Sequence, residues 1–456
     1  IRKFAVPWRN INRLLYKRDN GKINSNVKII SEDSVMPLSA ERKIYIPPDN
    51  DILSVTPHPL LDEDLSFRGA DTQYATHSIH PYVAAINPPL VSELIKYFVP
   101  TDGSILDPYC GGGGVLVEGI INNRPVSGND INPLAVSISK AKTTYLPQSI
   151  TEKYFRVLLD LYSDMQISQE EINALPQTIK YWFKEYMLEP LLKIKKAISC
   201  LEDQIKDNIY ASAITNLYRV IFSATIRDVM LTYRGEVRLR KLQGPDLEKF
   251  SPHILEALKK RAVLTFERVN SLPVGAKADI ILADTKMLPY KNNQFSTIIC
   301  SPPYGDDKNG VGYFQFSSKM LYFLGYKDLK IYKKKFLGGN KENKFIPPSS
   351  SLSRSLKNVY QRNQVHFSEA VAFYSDYYVA LQEMKRVTTD RIIIIVGNRI
   401  LSRTYFDNAR ITVEMLEYMG VELEYYFQRE LPRKRIANLG GDGGGGNIEH
   451  ILVFKC

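Results

Sequence analysis

The stretch SILDPYCGGGGVLVEGII, residues 104–121, contains a short apolar segment, a run of glycines and a second apolar segment. This order is typical of a buried strand, a tight turn and a helix. Such a turn lets a ligand approach the backbone closely, and the helix that follows presents free N–H groups. Asp107 ends the strand, and its carboxylate would repel a phosphate. The turn therefore predicts a cationic or hydroxyl-bearing ligand, rather than a dinucleotide held by a GxGxxG motif.

Six further apolar segments indicate strands separated by helical patterns. They are PVSGND (125–130), ADIILAD (278–284), FSTIICS (295–301), RIIIIVGN (391–398), ELEYYFQ (422–428) and HILVFKC (450–456). Strands that alternate with helices predict an α/β fold with a largely parallel sheet. The interval between Asp130 and Asp284 is much longer than the roughly 30 residues that one strand–helix–strand unit needs. The chain therefore carries an insertion between its second and third predicted strands.

The insertion has the pattern of helices. Residues 178–199 and 216–242 place apolar side chains at helical spacing and are rich in basic and aromatic residues. An aromatic stripe on a helix more often packs inside than binds a ligand, so Trp182, Phe183 and Tyr186 are expected in the core. The insertion is therefore predicted to be mainly helical and to bury these three rings.

Two basic segments are candidates for contact with phosphates. One is the run RGEVRLRKL, which begins at Arg234. The other is the region 327–364, which contains Gly, Asn, Pro and Ser throughout and cannot build a core of its own. This second region is expected to be either a solvated mobile loop or a target-reading loop that orders on binding.

Composition favours a nucleic-acid partner. Lys and Arg number 60 against 49 Asp and Glu, which gives a net charge of +11 and a pI near 9.1. The four cysteines form no CxxC pair, and the six histidines show no HExxH spacing, so no metal site is predicted. No segment approaches the ~20 apolar residues of a membrane span, and no secretory signal opens the chain. We expect a cytoplasmic protein.

Two more carboxylates follow predicted strands. Asp130 ends the second strand, where an acidic residue can accept both hydroxyls of a ribose. Asp284 ends the third strand, where it can accept a hydrogen bond from an adenine amino group. Each could instead cap the helix that follows. Three acidic strand ends in succession nevertheless favour a shared ligand site.

The motif Ser301-Pro302-Pro303-Tyr304 directly follows a predicted buried strand. Two prolines fix the backbone and remove two N–H donors, which leaves carbonyls and the Ser301 hydroxyl to accept hydrogen bonds from an amine. Tyr304 supplies a flat ring on which a flipped-out base could stack. The motif predicts chemistry on the amino group of a base. The segment 87–90 also contains two prolines, but it leads into a helical pattern and is interpreted as a helix start.

These motifs resemble the amino-methylating DNA methyltransferases, in particular the cytosine-N4 branch with its Ser-Pro-Pro-Tyr tetrapeptide. The resemblance covers roughly residues 70–456 without the insertion and the basic region. It implies a Rossmann-like class I methyltransferase sheet with helices on both faces, and S-adenosylmethionine as cofactor. The implied cofactor residues are Asp107, Pro108, Tyr109, Cys110, Gly111, Gly113, Asp130, Ile131, Asp284 and Thr285, and the implied catalytic residues are Ser301, Pro302, Pro303 and Tyr304. Tyr109 and the Gly113-Gly114 ending are mild departures from the family's usual residues.

The resemblance also implies a division of the chain and a set of partners. We expect an arm or cap over 1–65, a cofactor half over 66–145, the insertion over 146–272 and a catalytic half over 273–456. Target recognition is expected in the insertion or in the basic region. The implied partners are double-stranded DNA and a cognate restriction endonuclease.

Three alternatives stay open at this stage. An adenine-N6 DNA methyltransferase, or an enzyme acting on an RNA base or a protein glutamine, would share the fold, although these relatives usually carry Asp or Asn in place of Ser301. A catalytically silent nucleic-acid-binding subunit is a second alternative. A dinucleotide oxidoreductase is disfavoured because no GxGxxG opens the fold. Cys110 and Cys300 are interpreted as small buried residues, so direct transfer without a covalent intermediate is expected.

Overall fold

The computed structural model describes residues 27–28, 58–61, 63–234, 238–431 and 443–456. Most of the expected arm or cap over 1–65 therefore lies outside the described residues. The strands in these ranges are β1 (Val27–Lys28), β2 (Ile105–Asp107), β3 (Val126–Asp130), β4 (Asp279–Leu282), β5 (Phe295–Cys300), β6 (Lys344–Phe345), β7 (Thr388–Leu401), β8 (Thr404–Phe406), β9 (Glu422–Glu430) and β10 (Gly443–Lys455). β1 pairs with β6, and the other eight strands form one sheet.

The main sheet has the order β4-β3-β2-β5-β7-β10-β9, and β8 pairs with β7. Neighbours from β4 to β7 run parallel, whereas β10 runs antiparallel to β7 and β9. All seven segments predicted as strands lie in this sheet, which confirms the α/β fold with a largely parallel sheet. The order reverses at β2, which lies between β3 and β5. In open α/β sheets, ligands bind beyond the carboxyl ends of the strands at such a point.

The α-helices in the described ranges are α1 (Pro88–Phe98), α2 (Gly114–Ile121), α3 (Pro133–Thr143), α4 (Gln148–Asp164), α5 (Gln169–Asn173), α6 (Gln177–Lys180), α7 (Leu188–Ile205), α8 (Ala211–Val229), α9 (Gly244–Lys249), α10 (Ile254–Asn270), α11 (Tyr313–Phe323), α12 (Lys330–Lys335), α13 (Ser350–Arg362), α14 (Gln364–Val387) and α15 (Asn408–Tyr418). None of them is both long enough and apolar enough to cross a membrane. α1 starts at the two prolines after Asn87, whose side chain accepts the N–H of Leu90. The interpretation of 87–90 as a helix start is confirmed.

The central strand β7 has an apolar core on each of its faces. Ile392 and Ile394 pack in a cluster with residues of α14 and α15. Ile393 and Ile395 pack in another cluster with residues of α1 and α2. Successive side chains of a strand point to opposite faces, so this alternation places helices on both sides of the sheet.

The insertion is helical, as predicted, and comprises α4 to α10. Its core continues into α3, because Leu134 and Ile138 belong to the same buried cluster as the insertion's own apolar residues. Trp182 and Phe183 are buried in that cluster, which confirms their expected position. The expectation for Tyr186 is wrong: 48% of this residue is exposed, and its hydroxyl lies 3.3 Å from the Ser251 hydroxyl.

The basic region 327–364 contains α12, β6 and α13, so the expectation of a loop is wrong, and the region is anchored on the existing core rather than on one of its own. Leu352, Leu356 and Val359 recur at helical spacing on α13 and are buried against α14. The average composition does not reveal such a stripe, because a small number of apolar residues at helical spacing is enough to anchor a helix on an existing core.

Candidate active site

A cavity of about 900 Å³ opens beyond the carboxyl ends of β2, β3, β4 and β5. Ten of the fourteen residues predicted for the site line it: Asp107, Tyr109, Cys110, Gly111, Asp130, Ile131, Asp284, Thr285, Ser301 and Pro303. The other four, Pro108, Gly113, Pro302 and Tyr304, do not line it. The structure thus brings both predicted motifs to one cavity, at the point where the strand order reverses.

Asp107 is buried at the floor of the glycine turn, with 3% of the residue exposed. One carboxylate oxygen accepts the N–H of Tyr109 at 3.1 Å. Burial, assisted by the nearby charge of Asp130, raises the pKa of Asp107 to about 8. Within the described part of the chain, no basic side chain forms an ion pair with Asp107. A cationic ligand in this cavity would therefore favour the ionised carboxylate.

Asp130 ties β3 to the glycine turn. Its carboxylate accepts the N–H of Gly111 at 3.0 Å and the N–H of Asn132 at 2.8 Å. Burial raises the pKa of Asp130 to about 6, although these N–H donors oppose the shift. Asp130 thus shapes the turn and lines the cavity at the same time.

Asp284 caps the short 3-10 turn Thr285–Met287 by accepting the N–H of Lys286 at 3.0 Å. The Lys286 ammonium lies 3.0 Å from the same carboxylate. Thr285 donates its hydroxyl to the Pro108 carbonyl at 2.6 Å, which joins the end of β4 to the glycine turn. All three strand-end carboxylates accept an N–H two residues ahead, so each is a local cap as well as part of the cavity wall.

The glycine turn is covered by Tyr82, from the segment before α1. A Cβ atom on Gly112 would lie 2.8 Å from the Cβ of Tyr82, so a larger residue would displace this cover. The Tyr82 hydroxyl accepts a hydrogen bond from the Asn132 amide at 3.0 Å. The ring centroid of Tyr313, at the start of α11, lies 6.4 Å from that of Tyr82. Two aromatic rings therefore enclose the space above the turn.

A buried polar cluster lines the same side of the cavity. Lys142 is buried and donates to the His77 carbonyl at 2.9 Å. The Glu118 carboxylate lies 2.8 Å from Nε2 of His77 and accepts a hydrogen bond from the Tyr74 hydroxyl at 2.6 Å. Burial lowers the pKa of Lys142 to about 7, and no carboxylate among the described residues pairs with it. Sequence reasoning missed Lys142 because a single lysine within a helical pattern carries no signal.

The turn after β5 is fixed by contacts to β7 and β10. The Tyr304 hydroxyl lies 3.2 Å from the Ser301 hydroxyl and donates to a carboxylate oxygen of Glu449 at 2.8 Å. The Tyr304 ring lies against Gly397, where an added Cβ would come within 2.7 Å of its Cε2 atom. The Asn408 amide donates to the Tyr304 carbonyl at 3.0 Å. The prediction that this ring stacks on a base remains untested, and the contacts that hold it come from distant parts of the chain.

Arg399 supports the turn from behind. It is buried, and its guanidinium lies 3.5 Å from the Asp306 carboxylate and 5.6 Å from the ring centroids of both Phe373 and Phe406. Gly305 passes directly over this guanidinium, since a Cβ on Gly305 would clash with it. No pattern in the sequence assigns Arg399 to the site. It directly follows a predicted strand, and only the fold places it next to the turn after β5.

Exposed basic residues lie on α12, in the loop after β5 and in the segment before α9, and we call them the basic rim: Arg238, Lys308, Lys333, Lys334 and Lys335. Lys335 lines the cavity, and the Arg238 guanidinium donates to the carbonyls of Lys308 and Gly310. This contact joins the segment between α8 and α9 of the insertion to the loop after β5. The middle of the basic run that begins at Arg234, residues 235–237, lies outside the described residues.

A comparison with known proteins identifies the family. The chain is 30% identical over 411 residues to the Type II methyltransferase M.MvaI of Kocuria varians, a match that covers 82% of this chain and 87% of that protein. The chain belongs to the Type II methyltransferases. A shorter match, 26% identical over 167 residues, covers 35% of this methyltransferase and 30% of the Type II methyltransferase M.MjaII of Methanocaldococcus jannaschii.

Solved structures give weaker matches. TrmN from Thermus thermophilus has a TM-score of 0.24 and 10% identity, covering 81% of this methyltransferase and 49% of that chain. The rRNA methyltransferase AviRa from Streptomyces viridochromogenes has a TM-score of 0.25 and 9% identity, with coverages of 86% and 91%. Scores this low carry no argument, so the fold assignment rests on the strand order. No protein-family model matches the chain.

The family membership confirms the resemblance at the level of a Type II methyltransferase. The base, the atom that is methylated and the roles of the individual site residues stay predictions. In the described part of the chain, no group of three or more His, Cys, Asp or Glu residues is arranged to hold a metal ion.

Proposed function

We propose that this methyltransferase transfers a methyl group from S-adenosylmethionine to the exocyclic N4 amino group of cytosine in duplex DNA. The observation that carries the proposal is the position of Ser301. Its hydroxyl follows β5 and lines the same cavity as Asp107 and Asp130. An acceptor for an amine and carboxylates for a cationic cofactor thus share one enclosed space. Membership of the Type II family supports DNA as the substrate.

The cavity fits the cofactor in shape and in charge. Gly111 has a positive φ of 47°, and a Cβ there would lie 3.2 Å from the Tyr82 ring, so the glycine leaves space that a side chain would fill. Asp107 would hold the positively charged amino group, and Asp130 would accept the ribose hydroxyls. Asp284 would accept the adenine amino group. Lys142, buried without a carboxylate partner among the described residues, is the candidate to hold the cofactor's carboxylate.

When bound, S-adenosylmethionine supplies a methyl group on a positively charged sulfur. The amino group of cytosine is a poor nucleophile because its lone pair is conjugated with the ring. The Ser301 hydroxyl and the carbonyls of the proline turn can accept its hydrogens and draw them out of the ring plane. Cofactor and base together would displace water from the cavity, which would strengthen each of these polar contacts.

A thiol mechanism is not supported by the two cysteines near the motifs. Cys110 and Cys300 are buried, and burial raises the pKa of both thiols well above the ordinary value. A cysteine nucleophile needs a thiolate, which requires an exposed and electropositive environment. This supports direct transfer to the amine without a covalent intermediate.

A cytosine inside a duplex cannot reach this cavity, so the base must leave the helix. The basic rim beside the catalytic turn would hold the DNA backbone while the base enters. The insertion and the region 327–364 both reach this rim, and target recognition is assigned to them. A restriction endonuclease with the same target sequence is the expected partner of such an enzyme.

The proposal is tested by transfer of labelled methyl groups to mixed-sequence duplex DNA and to matched RNA, followed by nucleoside analysis. We expect N4-methylcytosine from DNA. Label in N6-methyladenine would keep the amine chemistry but refute the choice of base, whereas 5-methylcytosine would refute the amine chemistry. Ser301→Ala serves as the inactive control, and Ser199→Ala, at an exposed position on α7, serves as the matched active control.

A further inference from the structure

The hydroxyl of Tyr304 lies between two other polar groups. It is 2.8 Å from a carboxylate oxygen of Glu449 and 3.2 Å from the hydroxyl of Ser301. Glu449 is on β10 and lies 145 residues further along the chain than Tyr304. The fold therefore connects the first residue of the catalytic turn, through Tyr304, to a carboxylate on a different strand.

The number of hydrogens that each group carries fixes the direction of these two hydrogen bonds. An ionised carboxylate can only accept, so the single hydrogen of the Tyr304 hydroxyl must point to Glu449. The Tyr304 oxygen is then left to accept, and the hydrogen between the two hydroxyls must come from Ser301. With its own hydrogen directed at Tyr304, Ser301 offers only lone pairs to any other group. A substrate amine donates its hydrogens, so it needs such an acceptor.

Arg429 forms an ion pair with Glu449. Its Nε and Nη2 atoms both lie 2.8 Å from the second carboxylate oxygen of Glu449. The two residues are directly opposite each other on β9 and β10, and both are buried. The guanidinium donates to one carboxylate oxygen and leaves the other to accept the Tyr304 hydroxyl, and Arg429 also lines the cavity.

We propose that Glu449 and Arg429 are positioning residues, which act through Tyr304 to make the Ser301 hydroxyl an acceptor towards the substrate amine. The inference rests on the proposed function, since it assigns a role within the same amine chemistry. It also gives the Tyr304 hydroxyl a task in addition to that of its ring. The alternative is that the ion pair only joins β9 to β10.

The test compares Glu449→Gln with Glu424→Gln. Glu424 lies on β9 and pairs with Arg391 on β7 at 2.9 Å, so it is an ion pair of the same sheet without a hydrogen bond to Ser301 or Tyr304. We expect Glu449→Gln to lower kcat roughly tenfold to a hundredfold, with unchanged affinity for S-adenosylmethionine. Glu424→Gln is expected to keep kcat within about twofold, because its hydrogen bonds go to Arg391 and not to Ser301 or Tyr304. Equal kcat in the two variants would refute the inference.

Tyr304→Phe provides the second variant, because it removes the hydroxyl and leaves the ion pair in place. If one chain of hydrogen bonds acts as a unit, Tyr304→Phe and Glu449→Gln should lower kcat by similar factors, and the double variant by no more than either. If the loss of kcat in the double variant is instead the product of the two single losses, the two residues act independently and the inference is wrong. The thermal midpoint of each variant shows whether it is folded, and Tyr304→Phe decides the matter if Glu449→Gln does not fold.

The two proposals can fail separately. If the wild-type enzyme methylates adenine in DNA, the choice of cytosine is wrong, but the same variants still test Ser301 as an acceptor for an amine. If the wild-type enzyme forms N4-methylcytosine and Glu449→Gln retains full kcat, the proposed function stands and the role of Glu449 is wrong.

Discussion

The two walls of the cavity are built in different ways. On the cofactor side, Asp107, Asp130 and Asp284 each accept a backbone N–H from two residues ahead, so a few consecutive residues fix each carboxylate. On the catalytic side, Ser301 and Tyr304 are held by side chains from other strands and helices. The first wall is local in sequence, whereas the second depends on the completed fold.

We expect this difference to separate cofactor binding from turnover. A side chain on the cofactor side should affect cofactor affinity, and one on the catalytic side should affect the rate of methyl transfer.

The largest effect is expected for Ser301→Ala. Removal of a preorganised hydrogen-bonding group at the reacting atom typically costs about 100- to 1,000-fold in rate, and we expect a loss of this size in single-turnover methyl transfer. The cofactor dissociation constant, measured by calorimetry, should stay within about twofold, because Ser301 belongs to the other wall. A comparable loss of cofactor affinity would break the separation.

Asp107→Asn is expected to weaken cofactor binding by roughly a hundredfold, since a buried charge would lose its partner. The rate at saturating cofactor should change far less. The same calorimetric titration measures the loss, with Asp102→Asn, on the exposed loop before β2, as the control for net charge. Unchanged affinity in Asp107→Asn would remove this residue from the cofactor site.

Cofactor binding should strengthen with rising pH. Burial raises the pKa of Asp130 to about 6 and that of Asp107 to about 8, so both carboxyls lose protons as pH rises through this range. A positively charged group binds the ionised forms more tightly, so the affinity should increase between about pH 5.5 and about pH 6.5. Above about pH 7 the increase should level off, because Lys142, whose pKa burial lowers to about 7, would lose the charge that holds the cofactor's carboxylate. Asp107→Asn should flatten the upper part of the profile. A profile that falls over the lower part of this range would contradict the assigned charges.

The smallest effects are expected from two matched alanine substitutions. Gly112→Ala would press on Tyr82, and Gly397→Ala would press on the Tyr304 ring. Overpacking costs about 1–3 kcal/mol of stability, so both variants should lower the free energy of unfolding by similar amounts. Gly112→Ala should then weaken cofactor binding, and Gly397→Ala should slow methyl transfer. Denaturant titration measures the loss of stability, and the cofactor titration and the methyl-transfer assay measure the two functional effects. If both variants change cofactor affinity and transfer rate alike, the expected separation is wrong.

The same contrast explains what could be predicted from the sequence. The seven strands and the carboxylates that end three of them were predictable, because strand patterns and caps depend on neighbouring residues. Glu449 was not, because its contact with Tyr304 spans 145 residues and exists only after β10 pairs beside β7. Lys142 and Arg399 were missed for the same reason. The basic region was misjudged because composition hides the buried stripe of α13.

The central claim is that the amino nitrogen of cytosine receives the methyl group. It is tested most directly with duplex DNA that carries heavy nitrogen at the cytosine amino group and a cofactor that carries a heavy methyl carbon. Nuclear magnetic resonance of the product should show coupling between the labelled carbon and the labelled nitrogen. A methyl signal without that coupling would place the methyl group on another atom and contradict the account.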